Sequence, residues 1–214
     1  MSGSRVKESA PHRLIVEGRD DQWAIIALTA KHGWDWERPG PHYPYIHNAE
    51  GVEPALEALK VTILSYSRVG VVLDADLAPD NRWQAVRDRL SDTGFSLPSQ
   101  PDPMGTVVEN AGSRLGIWLM PDNRSPGKLE DFLALLVPPD DRCWSWAEES
   151  TAEAQRRGAP FSSPDFIKAR IHAWLAWQRE PGQPFGTAIN AATFSHDGDT
   201  ARLFLKWMER LFEP

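Results

Sequence analysis

The sequence has a single cysteine, Cys143, in 214 residues, which excludes an internal disulfide and any zinc site built on several thiolates. No apolar run approaches the about 18 residues that a membrane span requires, so no membrane partner is expected. Residues 1–11 are polar and lack the apolar stretch of a secretory leader, which places the expected location in the cytoplasm. Basic residues are in deficit, 23 Lys and Arg against 30 Asp and Glu, for a net charge of -7. Proteins that grip long stretches of duplex carry a basic footprint, because phosphate neutralisation supplies most of their affinity. The acidic balance counts against a footprint of that size, although a bound cation can supply positive charge at a small site. There is also no G-x-x-x-x-G-K-[ST] phosphate loop, no Ser/His/Asp or Cys/His arrangement, no repeat and no low-complexity segment.

What the sequence does contain is enough apolar material for a core, at 41% hydrophobic residues, and ten tryptophans. Trp23, Trp83, Trp174 and Trp207 sit inside apolar patterns and read as core before they read as platforms for bases. The length suits one domain, or one domain with a helical extension.

The pattern opens with a strand over 13–16, then a helix with a stripe of Trp23, Ile26, Ala27 and Ala30, started by Asp20 or Asp21 and stopped near Gly33. A Pro-, His- and Tyr-rich stretch leads to a short strand at Tyr45-Ile46. Val52, Leu56, Leu59 and Ile63 mark a second helix. The run 69–73 is almost wholly apolar, as strands covered on both faces are, and a helix over about 80–92 follows it. Two more strands fall at 106–108 and 115–119. Strand–helix alternation of this kind predicts an α/β fold with a parallel sheet flanked by helices. Beyond Pro121 the pattern turns helical. Ser125-Pro126 is expected to open a helix, with others over 140–157, 165–179 and 200–211. The division expected is an α/β core over 12–138 and a helical C-terminal part over 139–214, packed on the same body.

Three carboxylates are candidates for chemistry. Asp74 and Asp76 end the apolar strand two residues apart, and period-2 geometry puts both on one side if the extended conformation persists. Glu17 ends the first strand, and in open α/β sheets ligands bind beyond the carboxyl ends of strands. Carboxylates brought together there repel and raise one another's pKa unless a cation sits between them. Mg²⁺ or Mn²⁺ suits such oxygen donors. Mg²⁺ in particular is held by one or two carboxylates, several waters and substrate phosphates, an arrangement fitted to phosphodiester chemistry.

The segments Leu14-Ile15-Val16-Glu17-Gly18-Arg19-Asp20-Asp21 and Val71-Val72-Leu73-Asp74-Ala75-Asp76 resemble the two motifs of Toprim domains. These domains occur in topoisomerases, primases, RNase M5-like nucleases, recombination proteins and OLD-family nucleases. Residues 116–123 and 127–133 are similar to a bacterial family of small stand-alone Toprim-like proteins, and the resemblance covers about residue 12 to the C-terminus. It implies Glu17 as a metal-linked or acid/base carboxylate, with Asp74 and Asp76 as metal ligands. It also implies that Glu130 and Asp131 add carboxylates for a second metal, as in OLD-type enzymes. With Leu129, Phe132, Leu133 and Leu136 facing inward, Glu130 lies on the helix flank and Asp131 nearly opposite, which favours Glu130. Acids in a first helical turn are, however, favoured by the dipole alone. No nucleophilic-tyrosine domain or primase module is evident, and an OLD-type ATPase would have to be a separate partner chain.

Lys128 is the preferred phosphate contact, ahead of Lys168 and Arg19. His42 and His47 lack a third ligand, and His196-Asp197-Gly198-Asp199 reads as a turn and helix cap. The expected function is metal-dependent phosphodiester processing, most simply as a nuclease, with nucleic acid or a nucleotide as substrate. The alternative is a non-catalytic Toprim-fold binding or regulatory protein for a nucleotide or protein partner. The sequence does not set the oligomeric state.

Overall fold

Leu14, Val16, Val72, Trp118 and Met120 point to one face of the central sheet, while Ile15, Val69, Val71, Leu73, Leu115, Ile117 and Leu119 point to the other. Both faces are apolar, so both must be covered by helices. The computed structural model describes residues 4–213 and shows that three-layer arrangement. The strands are β1 (His12–Val16), β2 (Tyr45–Asn48), β3 (Arg68–Asp74), β4 (Thr106–Asn110) and β5 (Ser113–Met120). Their order is β2-β1-β3-β5-β4, parallel throughout except for β4, which pairs antiparallel with β5 at one edge. The chain is thus an α/β protein with a five-stranded, mostly parallel sheet.

The helices divide between the faces. α2 (Val52–Thr62) and α3 (Pro79–Arg89) cover one, with Leu56, Leu59, Trp83 and Val86 in its core. The other is covered by α1 (Arg19–Lys31), α4 (Leu129–Ala134), α5 (Arg142–Arg156), α6 (Phe166–Leu175), α7 (Phe185–Asn190) and α8 (Asp199–Phe212). One continuous apolar cluster joins the sheet to these C-terminal helices, so residues beyond 138 share the core of the α/β unit. Among the described residues, no helix is long and apolar enough to cross a membrane.

Three local readings need correction. The expected stripe on α1 is incomplete, because Ala30 is exposed while Ala24 to Thr29 are all buried. α1 lies between the sheet and α7, and a helix covered nearly all round loses its amphipathic pattern. The helix expected at Ser125-Pro126 begins only at Leu129. Gly127 is held by two backbone bonds to Asp76 (2.9 and 2.7 Å), and Ser125 is bonded to the Asp122 carboxylate. Residues 163–165 form a 3-10 turn, and α6 ends at Leu175, short of 179.

Close packing of α8 on the β4–β5 edge fixes one glycine. Gly105 has φ +82, and a Cβ there would stand 2.4 Å from Trp207 Cδ1 and 2.9 Å from Trp118 Cε3, both rings fully buried. Trp207 Nε1 donates to the Thr106 carbonyl at 3.1 Å, so the indole has little room to yield. Gly105→Ala is expected to lose about 2–3 kcal/mol from overpacking and the left-handed backbone together. Urea unfolding followed by tryptophan fluorescence measures the loss.

Candidate functional site

The chain leaves β1 through α1 on one face to reach β2, then crosses back through α2 on the other face to reach β3. The direction of winding therefore reverses between β1 and β3, and a crevice opens at their carboxyl ends. Glu17 follows β1 and Asp74 ends β3, which places both acids at that crevice. They are linked directly, since Glu17 Oε1 accepts a hydrogen bond from the Asp74 backbone N–H at 2.8 Å. Asp74 Oδ1 accepts from the Leu129 N–H at 3.0 Å, which ties the start of α4 to the same point. Each carboxylate has one oxygen committed to the backbone, so the other is left to face the cleft.

The cleft has a volume of about 380 Å³ and is lined by Glu17, Arg19, Asp20, Asp21, Asp74, Lys128, Glu130 and Lys168, among others. Five carboxylates therefore face three cations. Asp21 is buried, and its charge acts on both Asp74 and the crevice. Burial, and then the charge of Glu17, push the Asp21 carboxyl up to about 7. Burial, followed by the charges of Asp21, Glu17 and Glu130, pushes Asp74 up to about 8, against the opposing Leu129 N–H. Glu17 is also raised, first by burial, although the Asp74 N–H and the Arg82 guanidinium pull the other way. Such a set cannot be fully ionised near neutral pH without an added positive charge.

Asp76 departs from the arrangement expected of it. Its φ is 52°, a left-handed conformation that Asp tolerates, so the extended run ends after Asp74 and the period-2 relation fails. The turn is set by the bridge to Gly127. The Asp76 carboxylate is exposed and pairs with Arg82 at 2.6 Å, while Arg82 Nε donates to the Asp74 carbonyl at 2.8 Å. Asp76 thus borders a neighbouring cleft instead of lining the acidic one.

Glu130 is buried in the crevice and pairs with Lys168 at 3.1 Å. Asp131 turns away and accepts from the Lys128 N–H at 2.8 Å, capping α4. Lys128 lines both the acidic cleft and its neighbour and lies 3.5 Å from Asp165. Two residues carry more of the site than their sequence context suggested. Asp21 was legible only as a helix-start acid, yet it is buried in the first turn of α1 and its charge acts on both Glu17 and Asp74. Lys168 comes from α6, and nothing local marks its pairing with Glu130. A Cβ on Gly18 would sit 2.9 Å from Asp21 Oδ2, so a larger residue there would displace the Asp21 carboxylate.

The donor set is all oxygen and suits a hard cation. Among the described residues, no three of these carboxylates bring oxygens within 4.8 Å of one another. An all-protein cage is therefore not built. One or two carboxylates with retained water is the coordination that fits, with Glu17 and Asp74 the best placed.

Fold and cleft together define an α/β protein with an acidic crevice at the switch point of its parallel strands. Residues 11–213 match the family described as a protein of unknown function (DUF3226), and the chain belongs to that family. No curated protein and no solved structure matches it.

Proposed function

We propose that the chain is a metal-dependent phosphodiester-processing protein of Toprim type, most simply a nuclease, with Mg²⁺ or Mn²⁺ held at Glu17 and Asp74. The observation that carries this reading is the convergence of Glu17, Asp21, Asp74 and Glu130 on one cleft that also presents Lys128 and Lys168. A bound divalent cation would neutralise charge developing on phosphate oxygens and favour ionisation of the attacking water. Lys128 and Lys168 would orient the phosphate. Asp21, with its carboxyl near 7, would hold or give up a proton at working pH, the range in which an acid/base group is most effective. Asp76 would act through Arg82, as a positioning residue for the end of β3. Asp131 caps α4 and lines the neighbouring cleft, away from Glu17 and Asp74.

The cations around the cleft favour a small substrate over a long duplex. Lys128, Lys168 and Arg82 are each paired with a carboxylate, which leaves less positive charge for a phosphate backbone. A cleft of this size belongs to the range of small-ligand sites, so binding of a nucleotide without turnover is the second reading.

Incubation with single- and double-stranded oligonucleotides and with nucleotide phosphodiesters, in Mg²⁺ or Mn²⁺, tests the proposal. Wild type is expected to turn over at least one of them, and Glu17→Gln to be slower by about 100-fold or more. Equal rates in both proteins would contradict it. Nucleotide binding with no turnover would support the second reading.

A further inference from the structure

At the opposite end of α1 from the acidic cleft, His32, His196 and Asp197 present ligand atoms that all lie within 4.8 Å of one another. Among the described residues this is the one group of three or more His, Cys, Asp or Glu side chains with that spacing. The 13 residues of α1 separate it from the acidic cleft by about 20 Å.

Spacing along the chain hides this group, because His32 and His196 are 164 residues apart. Both come from anchored backbone. His32 is the C-cap of α1, and its N–H bonds the Thr29 carbonyl at 2.9 Å. The turn carrying His196 follows the fully buried Phe194, and the Ser195 N–H bonds the Leu136 carbonyl at 2.6 Å. The imidazoles meet edge to face, with centroids 5.5 Å apart. His32 Nε2 donates to the His196 carbonyl at 2.9 Å, which orients the ring within the cluster.

The remaining contacts set a ring nitrogen and a carboxylate oxygen side by side. His196 Nδ1 is shielded from solvent and makes no hydrogen bond. It lies 3.3 Å from Asp197 Oδ2. Around tetrahedral zinc, with bonds of about 2.0–2.1 Å, neighbouring ligands are about 3.3 Å apart. Two imidazoles and one carboxylate form a borderline donor set that suits zinc better than magnesium. The Asp197 side chain is exposed and free to close on an ion.

We infer that His32, His196 and Asp197 form a zinc site that clips the C-terminal end of α1 to the turn entering α8. The inference does not rest on the function proposed for the acidic cleft.

Zn²⁺ is titrated by calorimetry into the chelator-treated full chain, and Co²⁺ is followed by its visible absorption. The same titrations are made on His196→Ala, Asp197→Asn and Cys143→Ser. With excess Mg²⁺ present to compete for the carboxylates of the acidic cleft, wild type and Cys143→Ser should bind one equivalent and give the Co²⁺ bands of nitrogen and oxygen ligation. His196→Ala should lose the site. Asp197→Asn, an exposed and nearly isosteric change, should keep its circular dichroism and weaken binding by about 10-fold or more, since loss of a ligand costs no less than loss of the partner that orients one. Excess Mg²⁺ should not displace the ion. Binding of equal strength in a folded Asp197→Asn or His196→Ala protein, or no saturable Zn²⁺ binding in wild type, would overturn the assignment.

Discussion

Asp74→Asn is expected to make the metal-free protein more stable while removing its response to Mg²⁺ and Mn²⁺. With its carboxyl pushed up to about 8 by burial and by Asp21, Glu17 and Glu130, Asp74 must at neutral pH either hold a proton that the unfolded chain releases or bear that repulsion. Each unit of such a shift is worth about 1.4 kcal/mol. Four acids share the repulsion, so removing one of them is assigned a gain of about 2 kcal/mol at neutral pH. Asparagine keeps an oxygen for the Leu129 N–H and adds a donor that faces the remaining carboxylates. For a chain of this length the gain corresponds to about 4–8 °C in Tm. A fall in Tm would mean that favourable contacts of the Asp74 carboxylate outweigh the repulsion. Stability lost where function is placed is the usual trade at a site built for a ligand.

Between about pH 4 and about pH 8, the metal-free protein should lose stability as pH rises, through the same groups. Asp21 and Asp74 have an ordinary value of 3.8 and folded values of about 7 and about 8. Within that window the folded state holds protons that the unfolded state has released. Stability therefore falls with increasing pH, with Asp21 contributing up to about 7 and Asp74 up to about 8. Glu17, raised in the same direction, adds to the slope. Asp92 and Asp165 are shifted downward and work with the opposite sign, so the comparison of wild type with Asp74→Asn isolates the cleft. Urea midpoints taken from about pH 5 to about pH 8 should converge at the acid end and separate at the alkaline end, with wild type the lower. Saturating Mn²⁺ should flatten the wild-type curve, because the cation replaces the protons. Parallel curves, or a wild type more stable at high pH, would contradict this account.

The parts of this organisation that were legible from sequence are those set by local periodicity. The apolar run of β3 identified a strand covered on both faces, β1 and β5 were read as strands, and strand–helix alternation identified a parallel sheet. Glu17 and Asp74 could be placed because both sit where an apolar strand ends. Asp76 went astray at a single dihedral angle. The bridge to Gly127 that turns its backbone is a contact between segments about 50 residues apart, and no pattern around Asp74 announces it. Glu130 and Asp131 were separable by helical phase, which the structure resolves into one acid in the crevice and one on the helix start. α7 was missed because six residues including a glycine and a threonine are too few to show a stripe. Asp21, Lys168 and the His32–His196 meeting depend on tertiary placement, which single-sequence spacing does not encode.

The most direct test of the central claim is a calorimetric titration of Mn²⁺ into wild type and Asp74→Asn near pH 7, repeated in buffers of different ionisation enthalpy. The account predicts saturable binding in wild type accompanied by proton release, because the cation displaces protons held by Asp74 and Asp21, and loss of both signals in Asp74→Asn. Absence of binding in wild type, or binding without proton release that Asp74→Asn leaves unchanged, would contradict it.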